Sequence, residues 1–236
     1  MMATMANAPM TARARARAEL VEEIKAAGRR QLAEVGASEL SLRAVARELG
    51  MVSSAVYRYF ASRDELLTAL LVDAYDALGA AAEEAAADRR GGFEARWVRV
   101  ATAIRAWAVE HPHEYALLYG SPVPGYQAPG DTIPAAARPP VAALGVVADA
   151  VAAGEVDPGQ TAPISRPLRA DLERLRVGVP GDLPDEVLVR SLYAWTQVFG
   201  GISFELFGHL TNVVEAPADL FTHQARRAAR LISTGV

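Results

Sequence analysis

The sequence predicts an all-α protein in which a small head, containing a helix-turn-helix, precedes a longer helical body. Apolar residues recur at helical spacing through most of the 236 residues, and no stretch alternates between apolar and polar residues clearly enough to predict a strand. Hydrophobic residues make up 51% of the chain and charged residues 22%, which is sufficient for a packed core at this length. A glycine-centred turn between two short helical segments, within residues 41–60, indicates the head.

The helix that opens the head is predicted by an apolar stripe. The stripe consists of Leu20, Ile24, Ala27, Leu32 and Val35. It favours a helix of about 18 residues that ends near Gly36 and covers the hairpin that follows. We therefore expect a flexible tail over residues 1–14, a three-helix head over residues 15–62 and a body over residues 63–236.

The helix-turn-helix itself lies between Ser41 and Phe60, where the chain reads SLRAVARELGMVSSAVYRYF. Gly50 can adopt the left-handed conformation that a tight turn requires. Ala46, four positions earlier, is small enough for two steeply crossing helices to approach each other closely. No acidic residue occurs from Met51 to Ser62, as expected of a surface that approaches phosphates. A generic amphipathic hairpin in an all-helical protein is the alternative.

The segment after the hairpin predicts a fourth helix that begins without a linker. Ser62 is followed three residues later by Glu65, which is the pattern of a capping box. Apolar periodicity predicts helices at residues 63–88, 93–110, 112–120, 135–153, 184–209 and 217–233. The stretches 122–130 and 154–184 are rich in helix-breaking residues, and we expect both to be loops.

Residues 15–75 resemble the DNA-binding head of the TetR family of transcriptional regulators. The hallmark run of that family is present as Gly50, Tyr57-Arg58-Tyr59-Phe60 and Arg63-Asp64-Glu65-Leu66. Val52 departs from the family, because a serine that caps the recognition helix usually stands at this position. We expect the cap to shift to Ser53.

The resemblance implies which side chains meet DNA. Phosphate contacts are expected from Ser41, Arg43, Ser53, Tyr57, Tyr59 and Arg63, and positions nearest the base edges from Ser54, Ala55 and Arg58. A simpler alternative exists for the tyrosines, which would be packing residues, and for Arg58, which would be a solvated charge.

The net charge of −4 conceals a basic head. Residues 11–63 contain ten basic and six acidic side chains, a balance of +4, so the rest of the chain carries −8. A basic head on an acidic body favours one orientation on DNA. Arg13, Arg15 and Arg17 lie at the start of the basic region, where they would reach the minor groove or neighbouring phosphates, or else remain solvated.

The last two predicted helices carry more apolar surface than one core face requires. We expect the excess to be buried against a second copy of the same helix pair, which is also how the TetR family dimerises. The expected interface residues are Leu192, Ile202, Leu206, Phe221, Ala225, Ala228 and Ile232. The run from Trp195 to Gly208 further resembles a C-terminal subfamily named for a Trp-His-Gly signature, with Phe199 at the histidine position. A hydrophobic core helix in a monomer is the alternative.

Large aromatic side chains concentrate in the middle of the body, beside the predicted loops. They predict a site for an apolar or aromatic small-molecule effector, with Arg105 as the one nearby charge that can meet a carboxylate. The expected site residues are Trp97, Ile104, Arg105, Trp107, Tyr115, Leu118, Tyr119, Trp195 and Phe199. The alternative is simple core packing, since aromatic residues at helical spacing usually form core.

No pattern in the sequence predicts catalysis, a metal site or a cofactor. The densest group of metal-capable side chains lies between Glu110 and Glu114, but residues two apart point to different sides of a helix and Pro112 interrupts the segment. The chain contains no cysteine and no segment that predicts a signal peptide or a membrane span. We therefore expect a cytoplasmic protein that is not an enzyme.

These patterns and the resemblance together predict a homodimeric, ligand-responsive transcriptional regulator. It would be a repressor that a small molecule releases from a palindromic DNA operator, with two heads in successive major grooves roughly 34–36 Å apart. Repression rests on the resemblance alone, and activation stays open. The alternative function is a helical dimerisation or scaffold protein that binds DNA without an effector, and an effect of a small molecule on DNA affinity would distinguish the two.

Overall fold

The computed structural model of the protein describes residues 11–159 and 163–235, and all regular structure within these ranges is helical. The helices are α1 (Ala12–Val35), α2 (Leu42–Glu48), α3 (Ser53–Val56), α4 (Arg63–Ala87), α5 (Phe93–Glu110), α6 (Pro112–Tyr119), α7 (Ile133–Ala152), α8 (Arg166–Arg176), α9 (Asp185–Leu206) and α10 (Pro217–Thr234). The all-α prediction is confirmed, and the predicted bounds of the body helices differ from these by three residues or fewer.

Helix α1 begins earlier than the sequence pattern suggested. Thr11 is its N-cap, and the Thr11 side chain accepts a hydrogen bond from the backbone N–H of Ala14 at 3.2 Å. Residues 12–14, which we expected in a flexible tail, are therefore helical, whereas residues 1–10 of that tail lie outside the described residues. The apolar stripe predicts only the buried part of the helix. Its exposed first turns carry no apolar pattern, so only the capping side chain marks where the helix begins.

Helix α8 was not predicted, since the proline-rich stretch between α7 and α9 was expected to be a loop. The side chain of Ser165 accepts a hydrogen bond from the N–H of Leu168 at 3.4 Å and so caps the helix. Pro167 lies in the first turn, where a residue without an N–H breaks no helical hydrogen bond. Leu172 is buried and attaches the helix to the body core.

The chain divides into two compact units, and the division falls inside α4 rather than before it. The first, which we call the head, ends at Leu70 and also contains Val123–Tyr126; the second, which we call the body, comprises Leu71–Pro122 and the chain from Gln127 onward. The head extends past the predicted residue 62 because the first turns of α4 pack against α1. At Gly28 a Cβ atom would lie only 3.1 Å from Cδ1 of Leu70, so glycine permits this close packing.

The loop segment Val123–Tyr126 belongs to the head although it follows α6 of the body. Its anchor in the head is a hydrogen bond of 2.9 Å between the hydroxyl groups of Tyr126 and Thr68. Thr68 lies in the second turn of α4, and its hydroxyl also donates to the carbonyl of Asp64 at 2.8 Å. The segment Val123–Tyr126, which follows α6 in the chain, is thereby attached to the second turn of α4.

The body core lies between α5, α7, α9 and α10. Helix α7 is also tied to the body part of α4 by Arg138, whose guanidinium binds the carboxylates of Asp76 and Glu83, each at 2.7 Å. The two acids lie on either side of Gly79, where a Cβ would be only 2.6 Å from the Cβ of Arg138. Arg138 also holds the pKa of Glu83 below its usual range through a hydrogen bond and its positive charge.

Among the residues that the structure describes, one segment is long and apolar enough to cross a membrane, judged by length and composition alone. It is Gly130–Ala152, with a mean hydropathy of 1.3, and the sequence analysis had predicted no such segment. Ala143, Val146 and Val147 of this segment are buried in the body core. The buried share of its apolar window is 39%.

Candidate DNA-binding and effector sites

The turn of the helix-turn-helix is built around a left-handed glycine, as predicted. Gly50 has φ +66°, its N–H donates to the carbonyl of Arg47 at 3.2 Å, and the next N–H, of Met51, donates to Ala46 at 2.8 Å. This pair of hydrogen bonds is a Schellman motif, which ends α2 and satisfies its last carbonyl groups. Ala46 itself is 1% exposed. Its small side chain lets the backbone turn within the head core.

Helix α3 begins at Ser53, but Ser53 does not cap it. Val52 is the N-cap residue, and no side-chain hydrogen bond caps the helix. The expected shift of the cap to Ser53 is therefore wrong, because Ser53 already has helical conformation. The helical path continues beyond Val56, since the N–H of Phe60 donates to the carbonyl of Val56 at 3.1 Å.

One side of this segment is anchored in the head and the other is exposed. Val56 and Phe60 are buried at 0% and 6% exposure. Ser54, Tyr57 and Arg58 are exposed, whereas Ser53, Ala55 and Tyr59 are half-buried. The exposed side chains combine a hydroxyl, a phenol and a guanidinium without an acid. These groups can donate hydrogen bonds to phosphates and to base edges.

Arginines in the first turns of α1 add positive charge. One of these arginines contacts the segment from Ser53 to Tyr59, which we call the recognition segment. The Arg17 guanidinium lies 4.9 Å from the centre of the Tyr59 ring. This distance is within the range of a cation–π contact. Arg13 and Arg15 are exposed on the same helix. Arg13, which we expected in a flexible tail, thus lies on an ordered helix together with Arg15 and Arg17.

Arg63 is held by backbone carbonyl groups of the head. One nitrogen of its guanidinium donates to the carbonyls of Ala37 and Ser38 at 2.8 and 3.1 Å, and the other pairs with Asp64 at 3.3 Å. The arrangement fixes the connection between α1 and α2 onto the start of α4. The phosphate contact that the resemblance implied for Arg63 stays a prediction.

The remaining elements of the predicted interface lie at helix starts. The side chain of Ser62 accepts a hydrogen bond from the N–H of Glu65 at 3.1 Å, as the capping box requires, while the Glu65 carboxylate accepts from the N–H of Ala61 at 2.6 Å. Arg43 is exposed near the start of α2. The N–H of Ser41 donates to the buried side chain of Gln31 at 3.1 Å.

The predicted effector residues separate into two groups, of which the first is an aromatic cluster of α6 and α9. The centre of the Tyr119 ring lies 4.2 Å from that of Phe199, and the Trp195 ring lies 4.6 Å from Phe199 at a tilt of 47°. Tyr115 is fully buried, and its hydroxyl donates to the carbonyl of Phe199 at 3.1 Å. Its ring stacks on the Phe199 ring at 6.3 Å and lies tilted beside Tyr119 at 5.3 Å. Burial raises the pKa of the hydroxyl groups of Tyr115 and Tyr119, so both are neutral.

Two further rings join this cluster that the sequence analysis did not include. Tyr75 of α4 meets Tyr119 edge-on at 6.2 Å, and Phe207 approaches Tyr115 at 6.2 Å. Periodicity within one helix cannot identify such partners, because they come from elements distant in sequence. Leu118 is partly buried against the same core.

The second group surrounds a small apolar cavity between α5, α7 and α9. Its volume is about 10 Å³, and its walls are Trp97, Val100, Ala101, Ile104, Ala143, Trp195 and Val198. Three of the predicted effector residues, Trp97, Ile104 and Trp195, are among them. Val100 and Ala101 lie one helical turn after Trp97, and Val198 lies one turn after Trp195. Ala143 can be identified only from the packing of α7 on α5.

Arg105 does not serve as a free charge in this region. Its Nε donates to Oε2 of Glu205 at 2.7 Å, and a second nitrogen bonds the other carboxylate oxygen. Both side chains are largely buried, and the guanidinium lies over the Phe221 ring at 5.8 Å. The expected role as a carboxylate anchor is thus corrected to that of an internal ion pair. Trp107 likewise packs on His111, with ring centres 5.2 Å apart, away from the cavity.

Comparison with known proteins agrees with this geometry over both units. A family model described as bacterial regulatory proteins, tetR family, matches residues 24–70, and one described as the tetracyclin repressor-like C-terminal domain matches residues 97–228. The transcriptional regulator Rv1816 of Mycobacterium tuberculosis, described as HTH-type, is 44% identical over 217 residues, which cover 89% of this chain and 91% of that protein. The chain belongs to the TetR family of transcriptional regulators.

Solved structures of other regulators share the fold. The regulatory protein SCO4313 aligns with a TM-score of 0.73 and 36% identity over 92% of this chain and 98% of that one. FadR from Bacillus subtilis, solved in complex with stearoyl-CoA, aligns with a TM-score of 0.52 and 12% identity over 91% and 98% of the two chains. The TetR head match ends at residue 70, where the head unit of this chain also ends.

The expected dimer interface of this TetR-family chain needs correction in its residues. Five of the seven predicted residues are at most 5% exposed within the single chain: Ile202, Phe221, Ala225, Ala228 and Ile232. They are core because α10 packs against both α9 and α5. Such side chains have almost no surface left for a partner. Of the other two, Leu192 is exposed and Leu206 half-buried.

A different face of α9 remains exposed, and we call it the α9 stripe: Tyr193, Gln197, Gly200 and Phe204. Tyr193 and Phe204 are each 55% exposed. With Arg227 and Leu231 of α10, the first part of this stripe lines an open groove of about 780 Å³. A Cβ on Gly200 would meet nothing within 4 Å, whereas one on Gly201 would lie 2.9 Å from Oε1 of Gln224. Close packing inside the chain therefore explains Gly201 but not Gly200.

Within the described ranges no three His, Cys, Asp or Glu side chains lie together in a way that could hold a metal ion. The histidine-containing segment forms the junction of α5 and α6, where Nδ1 of His111 lies 4.0 Å from Oε1 of Glu114.

Proposed function

We propose that this TetR-family regulator is a cytoplasmic, homodimeric repressor that an apolar or aromatic small molecule releases from a partly palindromic DNA operator. The observation that carries the proposal is the exposed, acid-free surface of the segment from Ser53 to Tyr59, held by the buried side chains of Val56 and Phe60. One such segment in each subunit of a two-fold dimer requires two matched half-sites.

The DNA contacts would divide between positioning and base recognition. Arg58 is exposed on the recognition segment and would read a base edge, together with the neighbouring positions Ser54 and Ala55. Tyr57 would hold a phosphate through its hydroxyl, as would Arg43 at the start of α2. Arg17 would act indirectly, because its guanidinium fixes the Tyr59 ring.

The operator contacts are tested by band-shift titration across operator variants. Arg58→Ala should weaken operator binding by about 1 to 3 kcal/mol and reduce discrimination between bases, whereas Tyr57→Phe should weaken binding to all sequences alike. Arg166→Ala removes an exposed arginine from the body and serves as the control. Unchanged binding in an Arg58→Ala, Tyr57→Ala double variant would show that α3 does not recognise DNA.

The dimer would form through the α9 stripe and the adjacent face of α10. Large exposed rings on both sides of Gly200 provide apolar area, and the glycine would let a second α9 approach closely at the crossing point. A glycine inside an exposed helix otherwise destabilises it by roughly 0.5–1 kcal/mol relative to alanine. The buried residues of α10 would support this face from behind.

Sedimentation velocity tests the interface. A Tyr193→Arg, Phe204→Arg variant should be monomeric and should lose operator binding at the same time, because a single head contacts only one half-site. Val177→Arg places the same charge at a side chain that is 90% exposed on the end of α8, and it should remain dimeric. A dimer that persists in the double variant would exclude the α9 stripe.

The effector would bind in the body, among α5, α6, α7 and α9, where the aromatic cluster and the apolar cavity adjoin. Binding would reach the head through α6 and the segment that follows it, since Tyr126 is hydrogen-bonded to Thr68 in the second turn of α4. The structure of FadR with stearoyl-CoA supports the general idea that this fold can hold a small molecule.

Thermal-shift screening of hydrophobic metabolites, followed by operator release, tests the response to an effector. A ligand that raises the melting temperature and releases DNA supports the proposal. Tyr119→Ala should abolish both effects. DNA binding that no stabilising ligand changes would favour the alternative, a dimeric DNA-binding protein without an effector.

A further inference from the structure

Val52 is the most exposed large apolar residue among the residues of the head that the structure describes. It is 70% exposed, compared with 52% for Val35 and 43% for Tyr57. Apolar area contributes to stability only when folding removes it from water. Packing within the head therefore gives little reason for an apolar side chain at this position.

Helix capping does not explain the valine either. Val52 is the N-cap residue of α3, with φ −71° and ψ 139°, and no side-chain hydrogen bond caps the helix. Serine, asparagine and aspartate are preferred at an N-cap because their side-chain oxygen accepts a hydrogen bond from the first N–H groups of the helix. Valine is among the least favourable residues there. The stability of α3 would thus favour a polar residue at position 52.

The backbone holds Val52 in a fixed place, immediately before the recognition segment. The N–H of the preceding Met51 donates to the carbonyl of Ala46 at 2.8 Å, and the carbonyl of Val52 accepts from the N–H of Ala55 at 2.9 Å. The β-branched side chain is itself restricted at χ1. Its exposed methyl groups are therefore presented with little conformational freedom, which lowers the entropy that a contact would cost.

DNA offers few favourable partners to such a side chain. Valine has no hydrogen-bonding group, so it cannot pair with a phosphate oxygen or with the polar part of a base edge. The apolar group that bases present in the major groove is the C5-methyl of thymine. Deoxyribose carbons are the other apolar surface of DNA, but they are the same at every base. The first residues of a recognition helix are those that contact base edges.

We propose that Val52 determines specificity by contacting the C5-methyl group of one thymine in each half-site of the operator. The inference rests on the proposed function, in which the recognition segment meets base edges, and it adds an apolar contact to the polar ones proposed there. Burial of one methyl-sized group contributes about 0.8 kcal/mol, which is about fourfold in affinity for each half-site. Two such thymines in a symmetric operator would contribute about fifteenfold.

Replacing thymine by deoxyuridine tests the contact, because the two bases differ only in the C5-methyl group. The probe is the palindromic site that the full-length protein selects from random double-stranded DNA. Each symmetric pair of thymines in this site is replaced in turn, and binding is measured by band shift. Replacement of one pair should weaken binding of the wild type about fifteenfold. Val52→Ser should bind the thymine and the uracil sites equally.

Val35→Ser is the matched control, because it removes an exposed valine at the end of α1. This variant should distinguish thymine from uracil as the wild type does. Val52→Ser should not lower the melting temperature of the free protein, since serine is a preferred N-cap. Its loss of thymine discrimination would then report the DNA contact and not a damaged head. A clear fall in melting temperature would overturn the inference, because it would show that the valine stabilises the head.

Equal binding of every thymine and uracil site by the wild type would overturn the methyl contact. Discrimination that persists unchanged in Val52→Ser would also overturn it. If Arg58→Ala still weakens binding in either case, the recognition segment is upheld and only the role of Val52 fails. If neither Arg58→Ala nor Val52→Ser changes binding, or if no site is selected, the proposed operator contact fails and the inference fails with it.

Discussion

Removal of either partner of the Arg105–Glu205 pair should destabilise the body, whereas removal of both should not. The pair connects α5 to the end of α9 through two hydrogen bonds, and its side chains are 18% and 15% exposed. Each single substitution leaves a charged group behind in a place that water reaches only partly. The uncompensated charge, more than the lost bond, produces the destabilisation.

The size of the effect follows from this burial. Breaking a fully buried pair costs about 3–5 kcal/mol. The remaining exposure lets water solvate the unpaired group in part, so we expect about 2–3 kcal/mol for Arg105→Leu and for Glu205→Leu. A chain of this size loses roughly 2–4 °C in melting temperature per kcal/mol, so each single variant should melt about 4 to 12 °C lower. The double variant should melt near the wild type.

Thermal unfolding followed by circular dichroism at one fixed protein concentration measures these differences, since dimerisation makes the melting temperature depend on concentration. Arg174→Leu removes one side of an exposed pair with Asp171, and its effect should be within about 0.5 kcal/mol. If the double variant loses the sum of the two single effects, the pair is not coupled, and Arg105 would again be available to a ligand.

Three further substitutions test the head. Gly50 has φ +66°, which alanine adopts only with strain, although the added Cβ would meet no atom. Gly50→Ala should therefore lower the stability of the head and weaken operator binding, each by about 1–2 kcal/mol. Equal stability in urea unfolding would contradict this. Ala46→Leu should cost about 1–3 kcal/mol by overpacking the helix crossing, seen as lost operator affinity in band shifts. Tyr126→Phe removes the hydrogen bond to Thr68, so it should retain operator binding but weaken release by an effector; an unchanged release curve would exclude this route.

The helix-turn-helix of the head could be predicted because its determinants are local in sequence, whereas the boundaries of the head and the cap of α3 could not. The left-handed turn at Gly50, the small residue Ala46 and the capping serine Ser62 each act within a few residues of their own position. The family resemblance rests on the same residues. Helix α8 was missed for the opposite reason, since its prolines resemble helix breakers, and only the position of Pro167 in the first turn makes it compatible with a helix.

The body was predicted well in its helices and less well in its contacts. The last two helices were correctly expected to be rich in apolar residues, but periodicity does not say which apolar face meets the same chain and which meets another. Packing of α10 against two helices buried Phe221 and Ile232, and it left Tyr193 and Phe204 of the α9 stripe exposed.

The sequence by itself determined the all-α class, the helix-turn-helix and the family, because these depend on helical periodicity and on side chains that act close to their own backbone. Only the tertiary structure decided what Arg105 and Trp97 do. Arg105 meets a carboxylate 100 residues away, and the Trp97 side chain is buried in the wall of an apolar cavity. A charge or a donor is defined by the partners around it, and those partners come together only when distant helices pack.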